Sequence, residues 1–318
     1  MLPFLMRRAV GMVGVLLIVT IMLFLLMSFV PGDPITARYG MDGSSLDAEQ
    51  EAALRKEYGL DQPLPVQYMS WVRALLAGDL GDSIQQRRAV TAILKERVPV
   101  TLQISGFALL LSVVLALPLG VVAAVKHNSA WDRLVSGLAL AGVAMPAFWL
   151  GLLLLILFSV KLAWFPVTGF TRLTTDPLEA LRSSFLPALT GALGGTTAMI
   201  LRQLRAGLID VMRQDYIRTA RAKGVRPRTV VLRHGVRNAM LPTVTVVGLA
   251  TAHLLGGSVV IERVFNIPGM GRLIIDAMNA RDYPVVQGVV LVITIFVVLV
   301  NLATDLTYAY LDPRIRLR

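Results

Sequence analysis

Six long apolar runs divide this chain, and no other feature limits its fold as strongly. A run of about 20 apolar residues is long enough to cross a bilayer as a helix. Inside the hydrocarbon layer only helices and closed barrels satisfy every backbone polar group. The runs lie at 9–30, 99–125, 134–160, 185–208, 238–261 and 284–306. They predict an all-α membrane protein with six transmembrane helices. Composition agrees: 55% of the 318 residues are hydrophobic and 16% are charged, against about 25% charged in soluble domains. The first run follows Arg7-Arg8 like a signal peptide, but it is longer than a signal core and no small-x-small cleavage site follows. It reads as a retained span.

An even number of spans puts both termini on one side, and the positive-inside rule chooses the side. Segments joined to the N-terminus carry Arg7, Arg8, Lys126, Arg133, ten Lys/Arg between Arg202 and Arg237, and Arg314, Arg316 and Arg318. Against these 17 basic residues stand five acidic ones, Asp132, Asp210, Asp215, Asp305 and Asp312. The opposite side holds 14 basic and 15 acidic residues. The net charge of +11 is therefore topological. It argues against nucleic acid as a partner and for a multi-pass protein with both termini in the cytoplasm.

The expected organisation is a first transmembrane helix over 1–31 with a cytoplasmic N-terminus, an extracytoplasmic helical segment over 32–98, a five-helix core over 99–312 containing the cytoplasmic loop 209–237, and a cytoplasmic tail over 313–318. In the outer segment, Ser44 and Asp47 fit a capping box before a helix at 46–58, with Gly59 as its stop. Pro63 and Pro65 mark a turn. Val66, Met69, Val72, Leu75 and Leu76 give a helical period ending at Gly78. Val90, Ile93, Leu94 and Arg97 form an amphipathic lead-in suited to the membrane interface. The segment either seals the outer mouth or meets a soluble partner. Residues 262–283 are rich in turn formers: Asn266, Pro268, Gly269 and Gly271.

The loop 209–237 carries the functional argument. Residues 215–223 contain no helix breaker, Gly224 sits where a helix ends through a left-handed residue, and Pro227 opens the next helix. Two short helices then meet at a corner without a side chain. A basic loop at this place serves topology and anionic headgroups. The small residues Thr219, Ala220, Ala222 and Gly224 instead leave a low surface that fits a partner's groove.

The segment resembles the "EAA" loop of ABC-transporter permeases, in the dipeptide/oligopeptide/nickel branch. Arg218-Thr219-Ala220 stands in place of EAA, and Gly224 follows at the matching spacing. The longer stretch to Leu241-Pro242, through Arg233-His234-Gly235-Val236-Arg237-Asn238-Ala239, is similar to the peptide branch. Further matching segments are Gly32-Asp33-Pro34, Leu60-Asp61-Gln62-Pro63, Gly78-Asp79-Leu80-Gly81, Pro146-Ala147-Phe148-Trp149, Phe265-Asn266-Ile267-Pro268-Gly269, Arg281-Asp282-Tyr283-Pro284 and Leu311-Asp312-Pro313-Arg314. The resemblance covers essentially the whole chain. It implies an ABC importer type I permease fold in the inner membrane, with the helical extracytoplasmic insertion after the first span. It implies as partners a second homologous permease subunit, two cytoplasmic ATP-binding subunits and an extracytoplasmic solute-binding protein, all around a lipid bilayer. ATP and Mg would be bound by the partners and no cofactor by this chain. Arg218, Thr219, Ala220, Arg221, Ala222, Lys223, Gly224 and Val225 would be the handle that couples to the ATPase.

The residues themselves offer no bond-breaking chemistry. No Gly-Lys dipeptide exists, so a Walker A loop is impossible. There is no cysteine, and the three histidines, His127, His234 and His253, lie in different segments, so no metal site is expected. The chain reads as a transport subunit, not an enzyme. Candidate pathway or gate residues are Pro146, Trp149, His253 and Glu262. His253 is an ionisable group within the fifth span, where it serves either transport or a hydrogen bond to a neighbouring helix. Glu262, with Arg263, is expected at the outer end of that span within reach of water. Cargo is expected to be a di- or oligopeptide, with glutathione or a nickel chelate as alternatives in the same branch. A stand-alone ion-coupled transporter is the rival of another class. It rests on His253 and Asp305, and needs midplane carboxylates or an inverted repeat. A receptor or scaffold would need a soluble output domain.

Overall fold

The computed structural model describes residues 2–29, 50, 52–53, 56 and 61–311. Gly32-Asp33-Pro34, the capping box at Ser44 and Asp47, the helix at 46–58, Gly59 and the tail 313–318 lie outside the described residues. Among the described residues every regular element is helical, apart from one isolated bridge between Asp82 and Ala89.

The helices are α1 (Leu2–Phe29), α2 (Leu64–Leu76), α3 (Val90–Val125), α4 (Ala130–Ala144), α5 (Ala147–Lys161), α6 (Pro177–Gly191), α7 (Thr197–Met212), α8 (Asp215–Ala222), α9 (Pro227–Val264), α10 (Met270–Asn279) and α11 (Tyr283–Leu311). Five stretches are long and apolar enough to cross a membrane: Met6–Leu26, Val90–Val125, Pro177–Met212 (α6 with α7), Pro227–Val264 and Tyr283–Tyr308. The bent pair α4–α5 supplies a sixth when counted as one span.

Three expectations need correction. The run 134–160 is not one continuous helix. It turns by 106° at Met145–Pro146, because a residue before proline is pushed out of the α region; Met145 is extended, with φ −83° and ψ 127°. The amphipathic lead-in at 90–97 is continuous with the second span and packs against protein. It is the first part of α3, and Val90, Ile93 and Leu94 are buried. The turn-rich stretch 262–283 contains α10.

The chain forms two compact units. One comprises the described residues of 2–98 together with 273–295. Here α1 meets α2 through Phe24, whose ring packs edge-on to Tyr68 with centroids 5.5 Å apart, and Thr20 shares a 3.0 Å hydrogen bond with the Tyr68 hydroxyl. Buried Asp282 accepts from Ser83 Oγ and from the backbone N–H groups of Ile84 and Gln85. One carboxylate thus satisfies a turn that has few partners of its own. Gly288 lets α11 come against the start of α3, since a Cβ there would sit 2.7 Å from Val90 Cγ1.

The other unit comprises 99–272 and the residues from 296 onward. The long helix α9 runs beside α6 and α7. One cluster near its end unites Val100, Ile104, Leu186, Ile261, Phe265 and Ile267. A second joins Ala116, Ala123, Val135, Ile200, Leu201 and Ala250, and a third Ala124, Leu204, Leu208 and Ala239. Alanines at these contacts let backbones approach closely, as helix packing in a membrane requires.

Candidate functional site

The stretch 209–237 opens on the last turn of α7, and α8 follows after Arg213 and Gln214. The helix α8 starts with Asp215 in its first turn, where negative charge complements the helix dipole. Ile217 is fully buried and fastens one face of the helix. Beside it, Tyr216 Oη accepts a 2.8 Å hydrogen bond from Asn238 Nδ2, and the same amide donates to the His234 carbonyl at 3.0 Å. The Arg-His-x-x-Arg-Asn segment therefore holds the helix to the start of α9. Nothing in the sequence marks this bond, although Asn238 stands in the stretch that resembles the peptide branch.

The other end of α8 is closed by a Schellman arrangement. Gly224 N–H donates to the Arg221 carbonyl at 2.9 Å and Val225 N–H to the Ala220 carbonyl at 3.2 Å. Gly224 has φ +76°, the left-handed conformation that its lack of a Cβ permits. Pro227 then opens α9 at its first turn. The corner anticipated at Gly224 is thus present, and residues 218–225 run along α8 and its C-terminal cap.

Arg218, Thr219, Arg221, Ala222, Lys223 and Gly224 are exposed, whereas Ala220 and Val225 are half-buried. The ion pair between Arg218 and Asp215 is 3.4 Å long with both side chains largely in solvent, so it contributes little. Arg221 and Val225 line an open cleft of about 440 Å³, together with Val125, Met212, Pro227 and Val231. The cleft has an apolar floor and a cationic lip. That suits a partner that inserts an apolar side chain and presents carboxylates.

Behind the loop lies a network that sequence reasoning missed. Asp132, buried, receives a bidentate pair from Arg205: Nε to Oδ1 at 2.6 Å and Nη2 to Oδ2 at 2.8 Å. The Asn128 N–H donates to Oδ2 at 2.9 Å, and His127 Nδ1 lies 3.3 Å away. Ser129 caps α4 through the Asp132 N–H. A carboxylate with this many donors keeps its charge at little cost. In the sequence Asp132 and Arg205 are 73 residues apart, and nothing in either segment marks the pairing.

The four pathway candidates are not brought together. Pro146 is exposed at the bend between α4 and α5, and Trp149 is exposed on α5. His253 is exposed on α9 and forms no hydrogen bond to a neighbouring helix among the described residues. Glu262 corrects the expectation of a water-exposed residue. It is fully buried, accepts from Thr101 Oγ1 at 2.7 Å and from the Arg272 N–H at 2.9 Å, and lies where a side chain on Gly269 would have to go. Thr101 Oγ1 in turn accepts from the Met270 N–H at 2.8 Å. Glu262 anchors the turn 265–269 and the start of α10 to the end of α9. Among the described residues no group of His, Asp and Glu side chains has the grouping of a metal site.

Known proteins fit this architecture. Residues 116–317 match the family described as binding-protein-dependent transport system inner membrane component, and residues 1–105 match the N-terminal region of such membrane components. A protein carrying the name of peptide permease in Brucella suis biovar 1 is 43% identical over 320 residues, with 99% of both chains covered. The glutathione transport system permease protein GsiC of Salmonella typhimurium is 42% identical over 317 residues, again with 99% of both chains covered. Among solved structures, an inward-facing form of the MetNI methionine ABC transporter aligns with a TM-score of 0.57 at 19% identity, covering 69% of this chain and 96% of that one. That likeness speaks to the fold alone. Whole-length relatives and both family matches agree: the chain belongs to the binding-protein-dependent inner membrane components, the multi-pass permease subunits of ABC importers, in which separate subunits hydrolyse ATP.

Proposed function

We propose that this chain forms half of the translocation pathway of a di- or oligopeptide importer and that α8 is the element its ATP-binding subunits grip. The carrying observation is the form of α8: a short exposed helix, pinned at Tyr216 and Ile217, capped at Gly224, with an apolar cleft under a cationic edge. A loop that served only topology would need the charge and not the pins. The full assembly would hold a second homologous permease, two ATP-binding subunits that carry ATP and Mg, and an extracytoplasmic solute-binding protein. Both termini and α8 would face the cytoplasm. Whole-length relatives named for peptides and for glutathione, itself a tripeptide, favour peptide-like cargo over a nickel chelate.

Arg221→Glu combined with Lys223→Glu tests the grip. Both side chains are exposed, so the fold survives the change. The expected result is normal membrane insertion with at least tenfold weaker co-purification of the ATP-binding subunits. Defective insertion with unchanged co-purification would show that these charges serve topology instead.

A further inference from the structure

We propose that α4 and α7 form a two-helix lever with a common joint, through which motion of α8 opens and closes the pathway; this rests on the docking function of α8 given above. The third and fourth spans are both broken. The third bends at Met145–Pro146 by 106°. The fourth loses helical geometry at Gly194 and Gly195, where Gly195 has φ +113°, a conformation that L side chains rarely adopt. Irregular backbone of this kind is tolerated in a membrane protein where protein or a cavity surrounds it.

The two breaks meet. A Cβ placed on Gly194 would lie 3.7 Å from Ala147 Cβ, at the first residue of α5. One placed on Gly195 would lie 4.0 Å from Val143 Cγ2, near the end of α4. Gly142 has room for no side chain at all, since its Cβ would come 2.6 Å from the Leu193 carbonyl oxygen. On one side of this level, α5 and α6 are packed together, with Gly151 against Thr190. On the other side run α4, of 15 residues, and α7, of 16 residues. At 1.5 Å per residue their lengths are about 22 and 24 Å. Asp132 in the first turn of α4 is tied to Arg205, midway along α7, by the bidentate pair.

Only Arg213 and Gln214 separate α7 from α8. A force on α8 therefore reaches α7 along the backbone and α4 through the ion pair, while the joint gives way at the other end. The Oγ1 atoms of Thr196 and Thr197 are buried at the joint and have no hydrogen-bond partner among the described residues. Buried hydroxyls without partners are uncommon in a finished core. They fit a joint whose donors are satisfied in the other position.

The chain has no cysteine, so a staple across the joint can be placed without background. Ala147→Cys with Gly194→Cys sets two Cβ atoms at 3.7 Å, within the roughly 3.5–4.5 Å that a disulfide spans. The readout is ATP turnover of the complete reconstituted transporter with its solute-binding protein, together with co-purification of the ATP-binding subunits. The lever requires that oxidation form the crosslink, lower turnover at least tenfold and leave co-purification intact, and that reductant restore turnover while neither single variant responds. Crosslinked transporter that turns over at the reduced rate overturns the lever, and so does failure of the crosslink to form under oxidant. An unsubstituted complex that binds no ATP-binding subunit overturns the docking function instead, and the lever with it.

Discussion

At the scale of single residues, backbone conformation decided more than charge. Gly224 was legible because a glycine between a basic helix and a proline has few other uses, and it does end α8 with φ +76°. A Cβ there would meet nothing within 4 Å, so the constraint is conformational and not steric. Alanine at this site is expected to cost about 1–2 kcal/mol through left-handed strain, and asparagine, which visits that region, appreciably less. Circular dichroism melts of the purified transporter carrying Gly224→Ala or Gly224→Asn check the order; equal melting of the two would show that the corner is not held left-handed. Glu262 was misjudged for a physical reason. A carboxylate at the end of an apolar run looks solvated, and only the tertiary fold reveals that Thr101 and the Arg272 N–H are waiting for it.

At the scale of elements, the apolar runs match five helices long enough to cross a membrane, and a sixth where the bent pair α4–α5 counts as one span, but they did not show the breaks. Proline at 146 and glycines at 194–195 stand plainly in the sequence. Whether such residues bend, break or merely interrupt a span depends on neighbours that supply or deny backbone partners. The start of α3 shows the same limit: its amphipathic pattern was legible, but not that Val90 and Leu94 pack against Gly288 of α11. The ion pair between α4 and α7 makes the clearest energetic claim. Arg205→Ala would leave Asp132 buried with its main partner gone, and loss of one partner from a buried pair costs about 3–5 kcal/mol. The value should fall at the lower end, since the Arg205 side chain is 25% exposed. Arg205→Lys should recover only part of the loss, because an ammonium does not reproduce the two-pronged contact. Thermal denaturation of the detergent-solubilised transporter measures both, and a full rescue by lysine would show that charge alone matters there.

At the scale of the whole molecule, the arrangement of charge predicts which way the chain lies in its membrane. The stretch from Arg202 to Arg237, which includes α8, holds ten of the 31 Lys and Arg residues within 36 positions of sequence, and short basic loops tend to stay on the cytoplasmic side. The same count predicts α2 on the opposite side, beyond the first span. The absence of cysteine makes this a direct measurement. Lys223→Cys and Leu76→Cys replace exposed side chains, the second 83% accessible. A membrane-impermeant maleimide applied to intact cells should label the cysteine at position 76 and spare the one at 223, and the pattern should reverse on inside-out vesicles. Labelling of position 223 in intact cells would put α8 outside. No intracellular ATP-binding subunit could then reach Arg221 or the cleft below it, and the coupling role would be lost along with the orientation.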